Sequence, residues 1–183
     1  NDLSLDRLDD EKILWQTFTL PSSCDGQNLF CRLAEPTTPL RGVVQISHGM
    51  CEHIDRYIPF FRFLALEGFV VCGNDHLGHG KTCQNPDHFG FFAEEKGYQY
   101  LIEDLHQVSL FLKKRYPQLP LFLFGHSMGS MITRLYLSKY SSYRILKATS
   151  ISEMSVIPSS IRNFFTLFRI FPFTSVQAST CSQ

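Results

Sequence analysis

Apolar residues fall along this chain in short runs separated by turn-forming residues, and the length and spacing of those runs predict its elements. Residues 14–20 and 29–34 read as short strands, with the turn signal Cys24-Asp25-Gly26 between them, so a hairpin opens the pattern. A loop is expected between Pro36 and Pro39. The run 43–46 is a third strand, continuing through Ser47 into a His48-Gly49 turn. From 57 to 66 the apolar residues are too dense to show one clean face. Pro59 suits a first helical turn and Gly68 a stop, which predicts a helix there. Residues 69–72 form a wholly apolar strand ending at Gly73-Asn74-Asp75, and the glycines and proline within 76–96 predict a loop. Leu101, Leu105, Val108 and Leu112 recur at three-to-four spacing, so 98–116 is an amphipathic helix stopped by Pro117. The run 121–124 is a strand, a helical pattern extends from Met131 to about Tyr140, and 145–151 is one more strand.

A hairpin followed by strands that alternate with helices predicts an α/β protein, with a mostly parallel sheet covered by helices on both faces. The strands 69–72 and 121–124 lack polar alternation, as strands buried on both faces do. In such sheets the site lies at the carboxyl ends of the strands. His48-Gly49, Asn74-Asp75 and Ser127 all fall at such ends.

The turn after 121–124 reads Gly125-His126-Ser127-Met128-Gly129. An apolar strand, a sharp turn with a serine at its tip and a helix are the layout of a nucleophile elbow. The glycines answer a steric need, because a Cβ two residues before or after the serine would clash across the bend. The helix that follows turns its N-terminal N–H groups and positive dipole end toward the serine, where an oxyanion would develop. Ser127 is therefore the candidate nucleophile. The candidate oxyanion donors are the N–H of Met128, directly after it, and that of Met50, in the loop after the third strand.

At 183 residues the chain fits one domain with a real core, and its formal net charge of +0 offers no partner surface to nucleic acid. Six cysteines without a C-x-x-C pair read as free thiols, mostly buried. No run of about 18 apolar residues could span a bilayer and no basic, apolar leader opens the chain, so a cytoplasmic protein is expected. The first residue is Asn1 rather than methionine, which points to a processed start or to a piece of a longer protein.

Other constellations read as scaffold. His76, His79, Cys83 and His88 lie in a glycine-bearing loop without zinc-site spacing, so neither a metal nor a cofactor is expected. Glu52 and Arg56 are expected to form an ion pair bracing the oxyanion loop, and Asp104 and His106 to sit on a solvated helix flank. Phe164, Phe165, Phe168, Phe171 and Phe173 fit either a cap over an acyl pocket or plain core packing.

HGMCEHIDRY (48–57), NDHLGHGKT (74–82) and GHSMGS (125–130) together resemble the signature segments of the monoglyceride lipase and lysophospholipase-like group of α/β-hydrolases, also described as serine aminopeptidase-like. The likeness covers about residues 15–150. It implies the α/β-hydrolase fold and a serine hydrolase cleaving carboxylic esters of monoacylglycerol or lysophospholipid type. Ser127 would be the nucleophile, with Met50 and Met128 as oxyanion donors. The substrate would be a small-molecule or lipid ester, with peripheral membrane contact. His76 and His79 become structural residues of their loop. Cys51 stands where the group usually has glycine, which alters the oxyanion loop or offers a thiol beside the pocket.

In this fold the triad acid and histidine follow the serine. After Ser127 this sequence has no histidine and no aspartate, Glu153 is its only acid, and all seven histidines come earlier. Two readings stand side by side. One is a fragment of an esterase or lipase whose triad acid and histidine lie outside this sequence. The other is a non-catalytic truncated hydrolase serving as a binding or regulatory module. Either way the 183-residue chain by itself is expected to be inactive. Residues 1–154 are assigned to the N-terminal part of a hydrolase core, incomplete at its C-terminal side, and 155–183 to the start of a cap.

Overall fold

The computed structural model describes residues 11–140 and 146–152. Strand β1 (Ile13–Pro21) and strand β2 (Asn28–Pro36) form the expected antiparallel hairpin, with Phe18 opposite Cys31 and Leu20 opposite Leu29. Gly26 supplies the left-handed residue of its turn, at φ +75°. Strand β3 (Gly42–Ser47), helix α1 (Ile58–Leu66) and strand β4 (Phe69–Asn74) follow, with a short 3-10 turn over Ile54–Tyr57 before α1. Pro59 lies in the first turn of α1, and Gly68, at φ +86°, ends the segment. Helix α2 (Gly97–Arg115), strand β5 (Leu121–His126), helix α3 (Met128–Tyr140) and strand β6 (Leu146–Ser152) complete the order. The loop expected at 76–96 holds only a 3-10 turn, Pro86–His88.

The sheet order is β1-β2-β4-β3-β5-β6. β3 pairs in parallel with both β4 and β5, and β5 with β6, whereas β2 meets β4 antiparallel. Neighbouring residues of the inner strands point to opposite faces, so a strand with no polar alternation feeds two cores. Val43, Val70 and Leu123 join Leu101, Leu105, Val108 and Leu112 of α2 and Ile132 and Tyr136 of α3 on one face. Val44, Val71 and Phe124 join Phe61, Leu64 and Ala65 of α1 on the other. Each fully buried leucine among these contributes about 1.5–3 kcal/mol of transfer free energy.

Two polar residues inside this frame depart from expectation. Asp104 does not sit on a solvated flank but is buried on the inner side of α2. It accepts the Ser22 hydroxyl at 2.8 and 3.0 Å, the Ser23 N–H at 2.6 Å and the Ser23 hydroxyl at 2.7 Å. Those donors fasten the hairpin end to α2 and meet the need of a buried carboxylate. His106, two residues along, is also drawn in, stacking on Tyr140 with ring centroids 3.8 Å apart. On β3, Gln45 donates to the Leu105 carbonyl at 2.9 Å and accepts from the Ser109 hydroxyl at 2.6 Å, a polar tie through the larger core.

The thiols are less hidden than expected. Cys31 and Cys72 are buried, Cys24 and Cys83 half-buried and Cys51 exposed, all of them free. Among the described residues no helix is long and apolar enough to cross a membrane. The division at 154/155 and the phenylalanine-rich segment fall outside the described residues.

Candidate active site

The parallel pairing of β3 with β5 sets Ser47 beside Gly125, so the loops leaving both strands emerge together at the carboxyl ends of the strands. Ser127 bridges β5 and α3 with φ +51°, in the left-handed region that a non-glycine residue adopts only when its surroundings force it. The surroundings do so. A Cβ on Gly125 would fall 2.7 Å from the Gly129 carbonyl oxygen, and one on Gly129 would fall 2.6 Å from that of His48. The Ser127 carbonyl accepts from the Ser130 N–H at 2.9 Å and the Ser130 hydroxyl at 2.6 Å, which binds the bend to the first turn of α3.

The loop after β3 lies against this bend. A Cβ on Gly49 would be 3.1 Å from the Ser127 Cβ, so glycine is what lets the two loops approach. Met50 is half-exposed and Met128 buried. Among the described residues neither the Met50 N–H nor the Met128 N–H has a hydrogen-bond partner, nor does the Ser127 hydroxyl. Cys51 has φ +58°, a backbone region that penalises a side chain.

The segment 74–82 holds the loop from behind. Asp75 follows directly on β4, and its carboxylate accepts the N–H of Ile54 at 2.6 Å and of Lys81 at 2.7 Å. Burial nevertheless raises its carboxyl above the ordinary value. Thr82 donates to the Asp75 carbonyl at 2.9 Å and accepts from the Phe30 N–H at 2.8 Å, tying the segment to β2. His76 faces the Ser47 hydroxyl at 3.2 Å, and His79 faces the Leu77 carbonyl at 2.9 Å. Both histidines are buried behind the loop, and the rings of His48 and His76 pack with centroids 4.2 Å apart. Cys83 contacts the Asn85 carbonyl and His88 is exposed, away from the buried pair. Among the described residues no three His, Cys, Asp or Glu side chains are grouped to hold a metal ion.

Burial lowers His48 to about 4 and pushes His76 well below the ordinary histidine value, so both rings are neutral at pH 7. Glu52 goes down for a different reason. Burial acts to raise it, but hydrogen bonds from Tyr57, the Gly49 N–H and His126 outweigh burial. The expected ion pair of Glu52 with Arg56 does not form. The carboxylate turns inward to donors that need it, and Arg56 stays exposed. Sequence reasoning named Ser127, Met50 and Met128, which lie just past the neighbouring ends of β5 and β3. It missed the pairing of Glu52 with His126 and the anchoring by Asp75. The signal for Asp75 was its place at a strand end inside a quoted motif.

Comparison with known proteins agrees with this geometry. The profile of the family described as serine aminopeptidase, S33 (Hydrolase_4) matches residues 38–172. The chain is 36% identical to human monoglyceride lipase over 113 residues, which are 62% of this chain and 35% of that protein. It is 30% identical to mouse monoglyceride lipase over 152 residues, 78% of this chain and 48% of the lipase. Among solved structures, a thermostable carboxyl esterase from Bacillus coagulans, in complex with glycerol, superposes with TM-score 0.69 and 36% identity. The match covers 75% of this chain and 43% of the esterase. The chain spans less than half the length of the curated relatives it matches.

Proposed function

Because the chain belongs to the serine aminopeptidase S33 family of α/β-hydrolases, we propose that it carries the nucleophile half of a serine ester hydrolase acting on monoacylglycerol or lysophospholipid esters. One observation carries this reading: Ser127 is held at a left-handed backbone angle with Gly49 packed against it, and the N–H groups of Met50 and Met128 have no partner among the described residues. The hydroxyl would attack the ester carbonyl, and the N–H groups of Met50 and Met128 would stabilise the oxyanion. The ester substrate class rests on the relatives, which are monoglyceride lipases and esterases.

The base must come from elsewhere than the histidines of this sequence. His48 and His76 are buried and bonded to each other's segment, His79 faces Leu77, His106 stacks on Tyr140, His126 faces Glu52, and His53 and His88 are exposed at the two 3-10 turns. We therefore expect residues 1–183 alone not to turn over ester, since a serine hydroxyl without a base stays protonated and a poor nucleophile. The same observation favours a second reading, a non-catalytic binding or regulatory module. Hydrolysis of a monoacylglycerol and of a short-chain nitrophenyl ester by the whole protein decides between them. Turnover of both supports the enzyme, and turnover of neither supports the module.

A cytoplasmic protein with peripheral contact to lipid fits the phenylalanines of the stretch from Ile161 to Phe173, which also holds Arg162 and Arg169. Replacing Phe165 and Phe168 with serine is expected to reduce activity on dispersed lipid more than on a soluble ester. Equal losses would contradict lipid contact.

A further inference from the structure

Glu52 lies between the two loops of the site, its side chain only 14% exposed. A single oxygen, Oε1, accepts the Gly49 N–H and the Tyr57 hydroxyl, the latter at 2.7 Å, and faces His126 Nδ1 at 3.1 Å. These three groups come from the oxyanion loop, from the 3-10 turn beyond it and from the residue preceding Ser127. A Cβ on Gly49 would meet Glu52 Oε1, His126 Nδ1 and the Ser127 Cβ all within 3.2 Å, so the four residues share one tight junction.

The other side of Gly49 is held as well. His48 Nε2 accepts the His76 N–H at 3.0 Å, so in the neutral ring the proton sits on Nδ1 and is donated to the Gly49 carbonyl, 2.7 Å away. The Gly49–Met50 peptide is trans, because the described chain has no cis peptide bond. In a trans peptide the N–H points opposite to the C=O. Holding the Gly49 carbonyl on His48 therefore sets the direction of the Met50 N–H, and the bond of the Gly49 N–H to Glu52 holds the preceding peptide, so that both peptide planes flanking the Gly49 Cα are pinned. The Glu52 bond also takes the Gly49 N–H out of competition for an oxyanion.

We propose that Glu52 is a positioning residue, whose carboxylate ties Gly49 to His126 and so sets the Met50 N–H in register with Ser127. This rests on the reading of Met50 as an oxyanion donor. A carboxylate that merely aided folding would affect stability and leave the chemistry of folded molecules unchanged. A positioning residue acts on kcat, and its effect is restored by a side chain that keeps an oxygen in place.

The test compares Glu52→Ala, Glu52→Asp and Glu52→Gln. In the whole protein, on a soluble nitrophenyl ester, Glu52→Ala is expected to lower kcat about 100-fold with KM within about twofold. Glu52→Gln, whose amide oxygen can accept the same donors, is expected to stay within about tenfold of wild type. Should the alanine variant fail to fold, Glu52→Asp withdraws the oxygen by one methylene while keeping the charge, and the same loss of kcat is expected. Amide hydrogen exchange gives a readout independent of activity. Gly49 should be protected in the wild type and the glutamine variant and exposed in the alanine variant, with Gln45 in β3 protected in all three. Unchanged kcat in folded Glu52→Ala, or a Gly49 amide that stays protected there, would overturn the proposal. If the wild type hydrolyses no ester, the functional reading fails, and the Gly49 exchange still shows whether Glu52 holds the loop.

Discussion

Gly129 lies directly beneath the carbonyl oxygen of Ser47, two residues past the elbow serine and at the end of the neighbouring strand, with no room for a Cβ between them. The atoms it would meet are backbone, so no side chain can move aside. Gly129→Ala is expected to destabilise the fold by about 3 kcal/mol or more through forced displacement of α3 from β3. Urea unfolding of the two proteins measures this directly. A midpoint equal to wild type would mean that the elbow and β3 are not in contact as described.

Asp104 gives a second test, because it separates a buried tether from a surface charge. Asp104→Ala leaves the Ser22 hydroxyl and the Ser23 N–H without their acceptor and the Ser23 hydroxyl with the Tyr100 carbonyl alone, 3.2 Å away. The expected loss is about 2–3 kcal/mol. A carboxylate on a solvated helix face would change stability by less than about 0.5 kcal/mol. Denaturant midpoints distinguish the two outcomes.

The contrast between these residues shows what was legible in the sequence. Elements announced themselves because runs such as 69–72 and 121–124 are bounded by turn residues, and their assigned strands extend them by only two residues, to Asn74 and His126. Ser127 was legible because strand, glycines and helix are adjacent in the chain. Asp104 was not, since its partners lie 81 and 82 positions away and helical spacing alone cannot say which polar residue turns inward. Glu52 invited pairing with Arg56 one turn along, yet its acceptor oxygen goes to His126, 74 positions distant. Local charge pattern carries no information about a junction made by two strands meeting in a sheet.

Acid should weaken the fold at mildly low pH. His48 and His76 are lowered in the folded state by burial, so the unfolded chain binds their protons first. Stability from these groups is complete above about pH 6.5 and is lost as pH falls through the window down to about 4 for His48. Asp75 and Asp104, raised by burial, work in the opposite sense, since their protonation favours the folded state. Between pH 7 and 5 His48 is expected to remove about 2 kcal/mol, and His76 acts in the same direction. Urea midpoints measured across that range should fall steadily. A flat profile would show that the rings are not buried neutral.

Cys51 occupies a left-handed backbone position, at φ +58°. Cys51→Gly is expected to match or exceed wild-type stability, because the strain of a side chain there is offset only by the greater freedom of glycine in the unfolded chain. Cys51→Val, with a branched Cβ, should be less stable than the glycine variant by about 2 kcal/mol. Thermal melts of the pair decide it. Equal melting temperatures would contradict the assigned backbone.

The most direct test of the central claim is the site of covalent capture in the whole protein. A fluorophosphonate probe is expected to modify Ser127 alone, as read by mass spectrometry of the labelled peptide. Ser127→Ala should abolish both the label and ester turnover while melting at a temperature close to wild type, because the hydroxyl contributes to chemistry and not to the elbow's packing. Labelling of a different residue, or turnover by Ser127→Ala at the wild-type rate, would contradict the account.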